Sequence, residues 1–392
     1  MTSLLASRAF SIAVLLAVPL TAGDLVQTDV FVSGKDGYDT YRIPSVIVTK
    51  KKTVLAFCEG RRNSKSDTGD IDMLVKRSAD GGRTWSPQQV IWDDGPNTCG
   101  NPTPVVDQAT GVIWLLLTHN LGQDTEQQIG RRTSKGTRTV WVTRSEDDGV
   151  HWTRPVEITG ATKKPEWGWY ATGPGVGIQL ESGPHKGRLL IPSNHSVQPD
   201  PGRPDVFRYG DHVIYSDDHG AHWKVGGVIP WLDVDEPQAV ELADGGILMN
   251  MRSGKAVRRR ITGLSRDGGE SFSARRVDES LIEPPCQASL LRYTRKPKNR
   301  LLFSNPADRE QRIRMTVKLS YDEGATWPVS RELHSGPSAY SVLAVLPGMR
   351  IACIYERGHR QPYETITFAQ FPLEWLSKGT DRLEPPPTAG KR

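Results

Sequence analysis

Short apolar runs recur along the chain, and each one is bounded by Gly, Pro, Asp or Asn. Runs of this kind predict β-strands, because apolar residues framed by turn residues suit a short buried strand. Stretches with the 3.6-residue periodicity of a helix are scarce. The pattern therefore predicts an all-β fold, as a sandwich, a barrel or a propeller. Examples are TVLAFCEG (53–60), GVIWLLLTHN (111–120), GRLLIPSNH (187–195), GGILMNMRS (245–253) and NRLLFSN (299–305).

An eight-residue motif occurs five times between these runs, with Ser first, Asp third, Gly fifth and an aromatic residue last. The Asp can accept backbone hydrogen bonds, the Gly permits a positive φ, and the aromatic ring can pack beneath the turn. Because a catalytic centre is single, five equivalent copies predict a structural turn. Their spacing of 49 to 71 residues leaves room for about four strands per unit and favours a propeller. The copies are SADGGRTW (78–85), SEDDGVHW (145–152), SDDHGAHW (216–223), SRDGGESF (265–272) and SYDEGATW (320–327).

The two ends of the chain differ in composition from the rest. Residues 1–22 have one Arg, an apolar run over 9–20 and small residues after it, which predicts a secretory signal peptide. We therefore expect a secreted or periplasmic protein, without a membrane-spanning segment once the signal is removed. A single domain is predicted over 24–376. The Pro-rich, polar tail 377–392 is predicted to be disordered.

Composition and charge narrow the function classes. The 392 residues have a formal net charge of +5, and 24% of them are charged, as is ordinary for a globular protein. No basic run is longer than Arg258–Arg260, and no nucleic-acid motif accompanies it, so no nucleic-acid partner is expected. The four cysteines form no CxxC pair, which gives no zinc-site pattern. Cys58 and Cys353 lie in apolar runs and are predicted to be buried free thiols.

The repeated motif and the segment YRIP (41–44) resemble the sialidase (neuraminidase) family. The motif resembles that family's Asp box, and YRIP resembles its RIP motif, placed before the first Asp box. The resemblance covers roughly residues 36–371. It implies a six-bladed β-propeller that removes terminal sialic acids from glycoproteins, glycolipids or oligosaccharides. It also implies a monomer that needs no metal or other cofactor.

The resemblance implies three arginines that hold the substrate carboxylate. Arg42 in YRIP, Arg252 in LMNMRSG and Arg312 in SNPADREQR match the family positions. Arginine suits this role, because its planar guanidinium stays protonated and donates two parallel hydrogen bonds to a carboxylate. Arg314 lies two residues after Arg312 and is an alternative for the third position.

Tyr340 in GPSAYS matches the family nucleophile, and Glu236 in DVDEPQ matches its base. The anomeric carbon of sialic acid carries a carboxylate, so an anionic nucleophile would meet Coulomb repulsion in a dry site. A neutral tyrosine avoids that repulsion. Its ordinary pKa of about 10 makes it a weak nucleophile, so it requires an adjacent base.

Asp67, in the polar segment NSKSDTGD, matches the family's acid/base residue. A carboxyl group at this place could protonate the leaving oxygen and then activate water. Asp70 and Asp72 lie close by and are alternatives. Asp67 is preferred because it follows Arg42 by 25 residues, which fits the family arrangement.

Two further residues and one segment resemble supporting parts of the family site. Glu356 in CIYERG matches a glutamate that orients the first arginine, and Arg61 matches an arginine near the C4 side of the sugar. Arg62 is an alternative to Arg61. The aromatic run WGWY (167–170) is predicted either to form a substrate wall or to pack a loop.

Two other functions remain open at this stage. Transfer of sialic acid to another sugar would use the same residues, with the second sugar in place of water. A non-catalytic glycan-binding propeller would need no Tyr340, Glu236 or Asp67, and all three are present. The residue set therefore favours an enzyme over a binding module and leaves hydrolysis and transfer both open.

Overall fold

The computed structural model describes residues 25–198, 202–203, 205–254 and 256–384. The predicted signal peptide lies outside these residues. Strands dominate the described chain, and its three helices are short: α1 (Glu126–Arg131), α2 (Thr159–Thr162) and α3 (Leu373–Leu376), with a 3-10 turn at Pro347–Met349. Within the described ranges no helix is long and apolar enough to cross a membrane.

The first strand, β1 (Val26–Val32), pairs with the last strand of the described chain. The eight strands that come after β1 in the sequence form one sheet. A single parallel pair, Ile71 with Thr98, joins the two halves of that sheet, and all other neighbours in it are antiparallel. Its strands are β2 (Thr40–Val48), β3 (Val54–Arg61), β4 (Ile71–Ser78), β5 (Gln89–Trp92), β6 (Thr98–Val106), β7 (Ile113–Asn120), β8 (Thr139–Ser145) and β9 (Val156–Glu157).

A five-stranded and a four-stranded sheet follow, and both are antiparallel. The five-stranded sheet contains β10 (Tyr170–Thr172), β11 (Ile178–Gln179), β12 (Leu189–Val197), β13 (Arg208–Ser216) and β14 (Lys224–Val228). The four-stranded sheet contains β15 (Val234–Glu241), β16 (Ile247–Ser253), β17 (Arg259–Ser265) and β18 (Ser273–Ile282).

The last sheet has seven strands and includes β1. Its long strand β22 (Val329–Val345) belongs to two units. It pairs with β21 (Ile313–Ser320) as far as Pro337 and with β23 (Ile351–Arg357) from Ser338 onward. Antiparallel units of this size, five of them with an Asp-box turn, form a β-propeller. The prediction of an all-β propeller is confirmed, and the number of six blades stays a prediction. The strands are β19 (Ser289–Thr294), β20 (Arg300–Pro306), β21 (Ile313–Ser320), β22 (Val329–Val345), β23 (Ile351–Arg357) and β24 (Thr365–Phe371).

The repeated eight-residue motif forms the turn that the sequence predicts. Asp80 accepts a hydrogen bond from the backbone N–H of Thr84 at 3.0 Å, and Gly82 has a φ of +88°. Trp85 packs edge-on against Phe368, with ring centroids 5.3 Å apart. The same Asp-to-backbone bond, four residues on, recurs in Asp147–His151, Asp218–His222, Asp267–Ser271 and Asp322–Thr326.

The four cysteines are buried and free. Cys58 and Cys353 are therefore buried thiols, as predicted. Burial raises the pKa of each of the four thiols, so they remain protonated and unreactive at neutral pH.

The segment after β24 differs from its prediction. The last strand ends at Phe371, and Pro372 precedes the short helix α3. Residues 377–384, assigned to a disordered tail, pack against the last sheet instead. The physical reason is a buried ion pair, in which both oxygens of Asp381 accept from Arg300 at 2.7 Å. Residues 385–392 lie outside the described part of the chain.

Candidate active site

One irregularity recurs where the innermost strands begin. The pairing register shifts in β2, β6 and β15 at Ile43, Asn101 and Glu236, which have φ values of +55°, +56° and +40°. Each of these residues precedes a proline, which disfavours helical backbone at that position, so a positive φ there is strained. Bulges of this kind re-aim side chains and concentrate at functional sites. They bring side chains from separate units to one end of the propeller.

The sequence carries a signal for these bulges that our sequence analysis missed. An X-Pro dipeptide occurs at the start of four units, at Pro44, Pro102, Pro174 and Pro237, with intervals of 58, 72 and 63 residues. The residue before Pro174 is Gly173, which also has a positive φ, of +63°. The repeated dipeptide therefore identifies the inner end of these units, just as the Asp box identifies their outer turns.

Glu356 organises the first group of site residues. Its carboxylate is fully buried and accepts from Arg42 Nε at 3.0 Å, from the backbone N–H of Ile43 at 2.9 Å and from that of Tyr340 at 3.0 Å. Burial acts to lower the pKa of Arg42, but the charge of Glu356 outweighs it and the pKa is raised. One buried anion thus orients Arg42 and the backbone that carries Tyr340.

Glu236 connects Tyr340 and Arg252 in a second group of site residues. Its Oε1 accepts a hydrogen bond from the hydroxyl of Tyr340, and its Oε2 accepts from Arg252 Nη1 at 2.6 Å. Burial raises the pKa of Tyr340 well above its ordinary value, and the nearby charge of Glu236 adds to this effect. The phenol is therefore neutral at rest, with a base on its hydroxyl.

The structure distinguishes Arg312 from its neighbour Arg314. Arg312 lies 5.5 Å from the ring centroid of Tyr340 and donates to the hydroxyl of Tyr363 at 3.0 Å. Among the described residues, no carboxylate forms an ion pair with it. Arg314 instead lies on the exposed side and pairs with Glu332 at 3.1 Å. Arg312 is thus the arginine that reaches the tyrosine.

Asp67 lies over two arginines at the rim of the site. Its Oδ1 is 2.8 Å from Arg61 Nη1 and 3.4 Å from Arg42 Nη1, and its side chain is 59% exposed. Burial acts to raise the pKa of Asp67, but the charges of Arg61 and Arg42 outweigh it and lower the pKa. Arg61 is buried and held by Glu59 at 2.6 Å. The carboxylate is therefore ionised at neutral pH.

The alternatives to Asp67 and Arg61 lie together on another side of the loop. Arg62 pairs with Asp70 at 3.2 Å and with Asp72 at 2.6 Å. Asp72 also accepts from the hydroxyl of Tyr38 at 2.5 Å. Arg62, Asp70 and Asp72 are therefore engaged with one another, away from Tyr340.

Two residues near the arginines escaped the sequence analysis. Tyr363 stacks under the guanidinium of Arg42, at 4.1 Å to its ring centroid, and also receives the hydrogen bond from Arg312. The side-chain oxygen of Gln287 accepts a hydrogen bond at 3.0 Å from the backbone N–H of Ser341, the residue that follows Tyr340. Neither residue stands in a recognisable motif, so the local sequence contains no signal for them.

A layer of polar contacts closes the propeller axis beneath the site. Ser45 donates to the carbonyl of Gly175 at 2.6 Å, while Gln238 and Gln287 donate to the carbonyl of Pro174 at 3.2 and 3.3 Å. A Cβ at Gly175 would lie 2.4 Å from the side chain of Gln238, so glycine is required there. The layer separates the site from a cavity of about 380 Å³ further along the axis, which is lined by both apolar and charged residues.

The aromatic run 167–170 packs a loop rather than a substrate wall. Trp167 is 4% exposed and stacks on His195, with centroids 3.9 Å apart. Trp169 is 8% exposed and lies under Arg138, 4.0 Å from the guanidinium. Of the two alternatives from the sequence, the structure supports packing.

His195 and His212 form a buried pair behind this loop, with their Nδ1 atoms 3.0 Å apart. Tyr170 donates its hydroxyl proton to the carbonyl of Thr162 at 3.1 Å, so His212 Nε2 must donate to Tyr170. Its Nδ1 then accepts from His195. Burial lowers the pKa of His195 to about 3 and lowers that of His212 well below its ordinary value, so both rings are neutral.

We expect the free energy of unfolding to fall less between pH 7 and pH 5 in His195→Asn than in the wild type. The unfolded chain protonates this histidine below about pH 6.5, whereas the folded chain resists protonation down to about pH 3. Between these values the unfolded state binds more protons, so the free energy of unfolding falls as pH falls, by up to about 1.4 kcal/mol per pH unit. Urea unfolding of wild type and variant at pH 7 and pH 5 measures this slope. His151→Asn, at a side chain that is 85% exposed, should keep the wild-type slope; an unchanged slope in His195→Asn would refute the prediction.

Comparison with known proteins decides the family. A model of the BNR repeat-like domain matches residues 52–353. An exo-alpha-sialidase of Arthroderma benhamiae is 30% identical over 375 residues, which cover 88% of this chain and 86% of that protein. The chain belongs to the sialidase family.

Other sialidases show how far the similarity extends. A sialidase of Micromonospora viridifaciens is 33% identical over 366 residues, and the chain spans only 54% of that protein's length. The solved structure of the Hadza microbial sialidase Hz136 superposes with a TM-score of 0.78 at 29% identity, over 89% of this chain and 69% of that one. The family resemblance inferred from the Asp boxes and YRIP is confirmed.

The sialidase fold brings the eight predicted site residues to one end of the propeller. Four cations and four carboxylate or phenol side chains meet there, and no predicted residue lies elsewhere. They are Arg42, Arg61, Asp67, Glu236, Arg252, Arg312, Tyr340 and Glu356.

Proposed function

We propose that this chain is a retaining exo-α-sialidase that removes terminal sialic acids from glycans. One observation carries the proposal: the hydroxyl of Tyr340 donates to Glu236, whose other oxygen binds Arg252. A phenol with a base on its proton is an activated nucleophile, and sialidases are the glycosidases in which a tyrosine takes this role.

The charges around Tyr340 support an anionic sugar as substrate. Arg42 and Arg312 lie 5.1 and 5.5 Å from its ring centroid, and Arg252 reaches it through Glu236. The charge of Arg312 is not neutralised by a carboxylate among the described residues. Guanidinium groups placed at this distance would bind the carboxylate that sialic acid carries at its anomeric carbon.

The proposed reaction has two steps. In the first, the hydroxyl oxygen of Tyr340 bonds to the anomeric carbon, its proton passes to Glu236, and the glycosidic oxygen leaves with a proton from Asp67. In the second, Asp67 accepts a proton from water, and the water oxygen bonds to the anomeric carbon. The bond from that carbon to Tyr340 breaks, and Tyr340 regains its proton from Glu236. Two displacements at one carbon retain its configuration.

Asp67 needs a proton for the first step, although Arg61 and Arg42 lower its pKa and keep it ionised at neutral pH. A bound substrate carboxylate would share the guanidinium of Arg42 and exclude water from the rim. Both changes raise the pKa of a neighbouring carboxyl group, since one weakens a stabilising charge and the other desolvates the anion. Substrate binding thus prepares the acid.

The products of hydrolysis test this function. Purified chain with 3′-sialyllactose is expected to release sialic acid, with the α-anomer appearing first in a proton NMR time course before mutarotation. Release of the β-anomer first would contradict retention and a tyrosine nucleophile. Transfer to lactose instead of water would point to the transferase alternative.

We expect Asp67→Asn to affect natural and activated substrates differently. Loss of the general acid should lower kcat/KM on 3′-sialyllactose by about 10²–10⁴-fold, because its leaving alcohol needs a proton. An aryl sialoside with a phenolate leaving group should lose much less in the first step. Steady-state kinetics on both substrates measures the ratio.

Asp70→Asn is the matched control for this variant, because Asp70 lies on the same loop and pairs with Arg62 instead. It should keep the wild-type ratio between the two substrates. An equal loss on both substrates in Asp67→Asn would argue against its role as an acid.

We also propose that the enzyme is exported. The basis is the pattern of residues 1–22 in the sequence, with a basic residue, an apolar run and small residues in that order. N-terminal sequencing of the protein purified from outside the producing cell would test it.

A further inference from the structure

A second concave site lies on the outer edge of the propeller, away from Tyr340. It is a groove of about 470 Å³ between the edge strands β5 and β9, a size typical of small-ligand sites. We propose that this groove, here named the tryptophan groove, binds a neutral pyranose sugar. Its lining includes Trp92, His119, Trp141, Trp152, Asp94 and Arg154.

Aromatic rings form the wall of the tryptophan groove. Trp92 packs against Trp141 with centroids 4.8 Å apart and stacks on His119 at 5.2 Å. Trp152 packs edge-on against Phe57 from below, at 5.7 Å. The three tryptophans are only partly buried, so ring surface faces the groove. The C–H faces of a pyranose pack against such surfaces, and aromatic rings give large contact area with little loss of side-chain entropy.

The polar groups of the groove favour a neutral ligand. Asp93 and Asp94 each have a 45% exposed side chain, and Asp94 is fixed by His119 Nε2 at 2.7 Å. Arg154 is exposed, and its side chain has no ion pair or hydrogen bond with the described residues. The lining of the groove contains two carboxylates and one guanidinium, a balance of charge that disfavours an anion such as sialic acid. They can accept hydrogen bonds from sugar hydroxyls while Arg154 donates.

The surface around the groove is the most apolar part of the described exterior. Val90, Val150 and Val156 are the exposed large hydrophobic residues among the residues that the structure covers. Val90 lines the groove, Val156 follows its lining residue Pro155, and the carbonyl of Val150 accepts from Gln89 on β5 at 3.1 Å. Apolar surface collected at one place indicates an interaction site.

The groove lies near the loop that carries Asp67. Asp93 lies 3.4 Å from Arg62, and the preceding residue, Arg61, pairs with Asp67. If the proposed function holds, the groove would bind neutral sugars of a sialylated glycan outside the active site. The binding itself does not depend on that function, because a neutral sugar is not a substrate for hydrolysis.

Titration of the full chain with lactose, followed by saturation-transfer NMR up to about 50 mM, tests the proposal at the millimolar affinities expected of one small sugar. We expect saturable binding that persists when excess sialic acid occupies the active site. Trp141→Ala should weaken binding at least tenfold. Arg154→Ala, at an exposed side chain that is expected to leave folding unchanged, should weaken it several-fold.

Trp231→Ala serves as the matched control, because Trp231 is a partly buried tryptophan that packs on a different core cluster. It should bind lactose as wild type does. Absence of saturable binding in wild type, displacement of lactose by sialic acid, or unchanged binding in both groove variants would overturn the proposal. A failed function with intact lactose binding would leave the groove in place, so the two outcomes are distinguishable.

Discussion

Tyr340→Phe is expected to lower kcat by at least about a thousandfold while leaving the fold intact. Removal of a nucleophile from a constellation that acts as a unit costs several orders of magnitude in related hydrolytic enzymes. The change deletes one oxygen, whose hydrogen bond goes to Glu236. The backbone N–H of Tyr340 still donates to Glu356, so the strand should stay in place.

Turnover of an aryl sialoside and thermal unfolding of the same samples measure both effects. Tyr293→Phe is the matched control, since Tyr293 is also buried and donates its hydroxyl to the carbonyl of Met349 at 2.6 Å, within a different core cluster. It should keep near-wild-type kcat. Normal turnover in Tyr340→Phe would exclude this tyrosine as the nucleophile.

Glu356→Gln is expected to cost about 3–5 kcal/mol of unfolding free energy and to raise KM strongly. Breaking a buried ion pair on one side leaves the other charge uncompensated, which is far more costly than losing a surface pair. Glu356 is fully buried and its partner Arg42 has a side chain only 6% exposed. The same carboxylate also orients the backbone at Ile43 and Tyr340. Both binding and stability should therefore fall together.

Chemical denaturation and steady-state kinetics measure the two losses. Glu332→Gln is the control, because its ion pair with Arg314 has side chains 36% and 59% exposed. An exposed pair contributes about 0–1 kcal/mol, so this variant should unfold and react almost as wild type does. Equal stability losses in the two variants would refute the organising role of Glu356.

Much of the fold follows from local sequence. Each Asp box contains its own hydrogen-bond donors and acceptors within eight residues, as Asp80 and Thr84 show. Alternating turn residues and apolar runs predict the strands, and the turn motif predicts their arrangement in a propeller. The prediction fails after Phe371, because Arg300 lies 81 residues away from the Asp381 that it pairs with.

The family resemblance predicts the candidate site residue by residue. Position along the sequence does not distinguish a predicted residue from an alternative that lies only a few positions away. Arg312 and Arg314 are two positions apart, and the pattern of a regular strand would place both on one face. The structure separates them, because Arg314 has a φ of +63° and the pairing register shifts beside it. Asp67 likewise differs from Asp70 and Asp72 in its partners, because it meets Arg61 and Arg42 whereas both alternatives pair with Arg62, and this depends on how the loop folds.

Local sequence is sufficient to specify the all-β class, the repeated turns and the residue types needed for a sialidase. These depend on contacts between near neighbours or on motifs. Only the tertiary structure decided that Glu356 would bind Arg42, 314 positions away, and that Tyr340 would meet Glu236, 104 positions away. Such contacts form only when the propeller brings its units together around one axis, because burial and charge pairing act through space rather than along the chain.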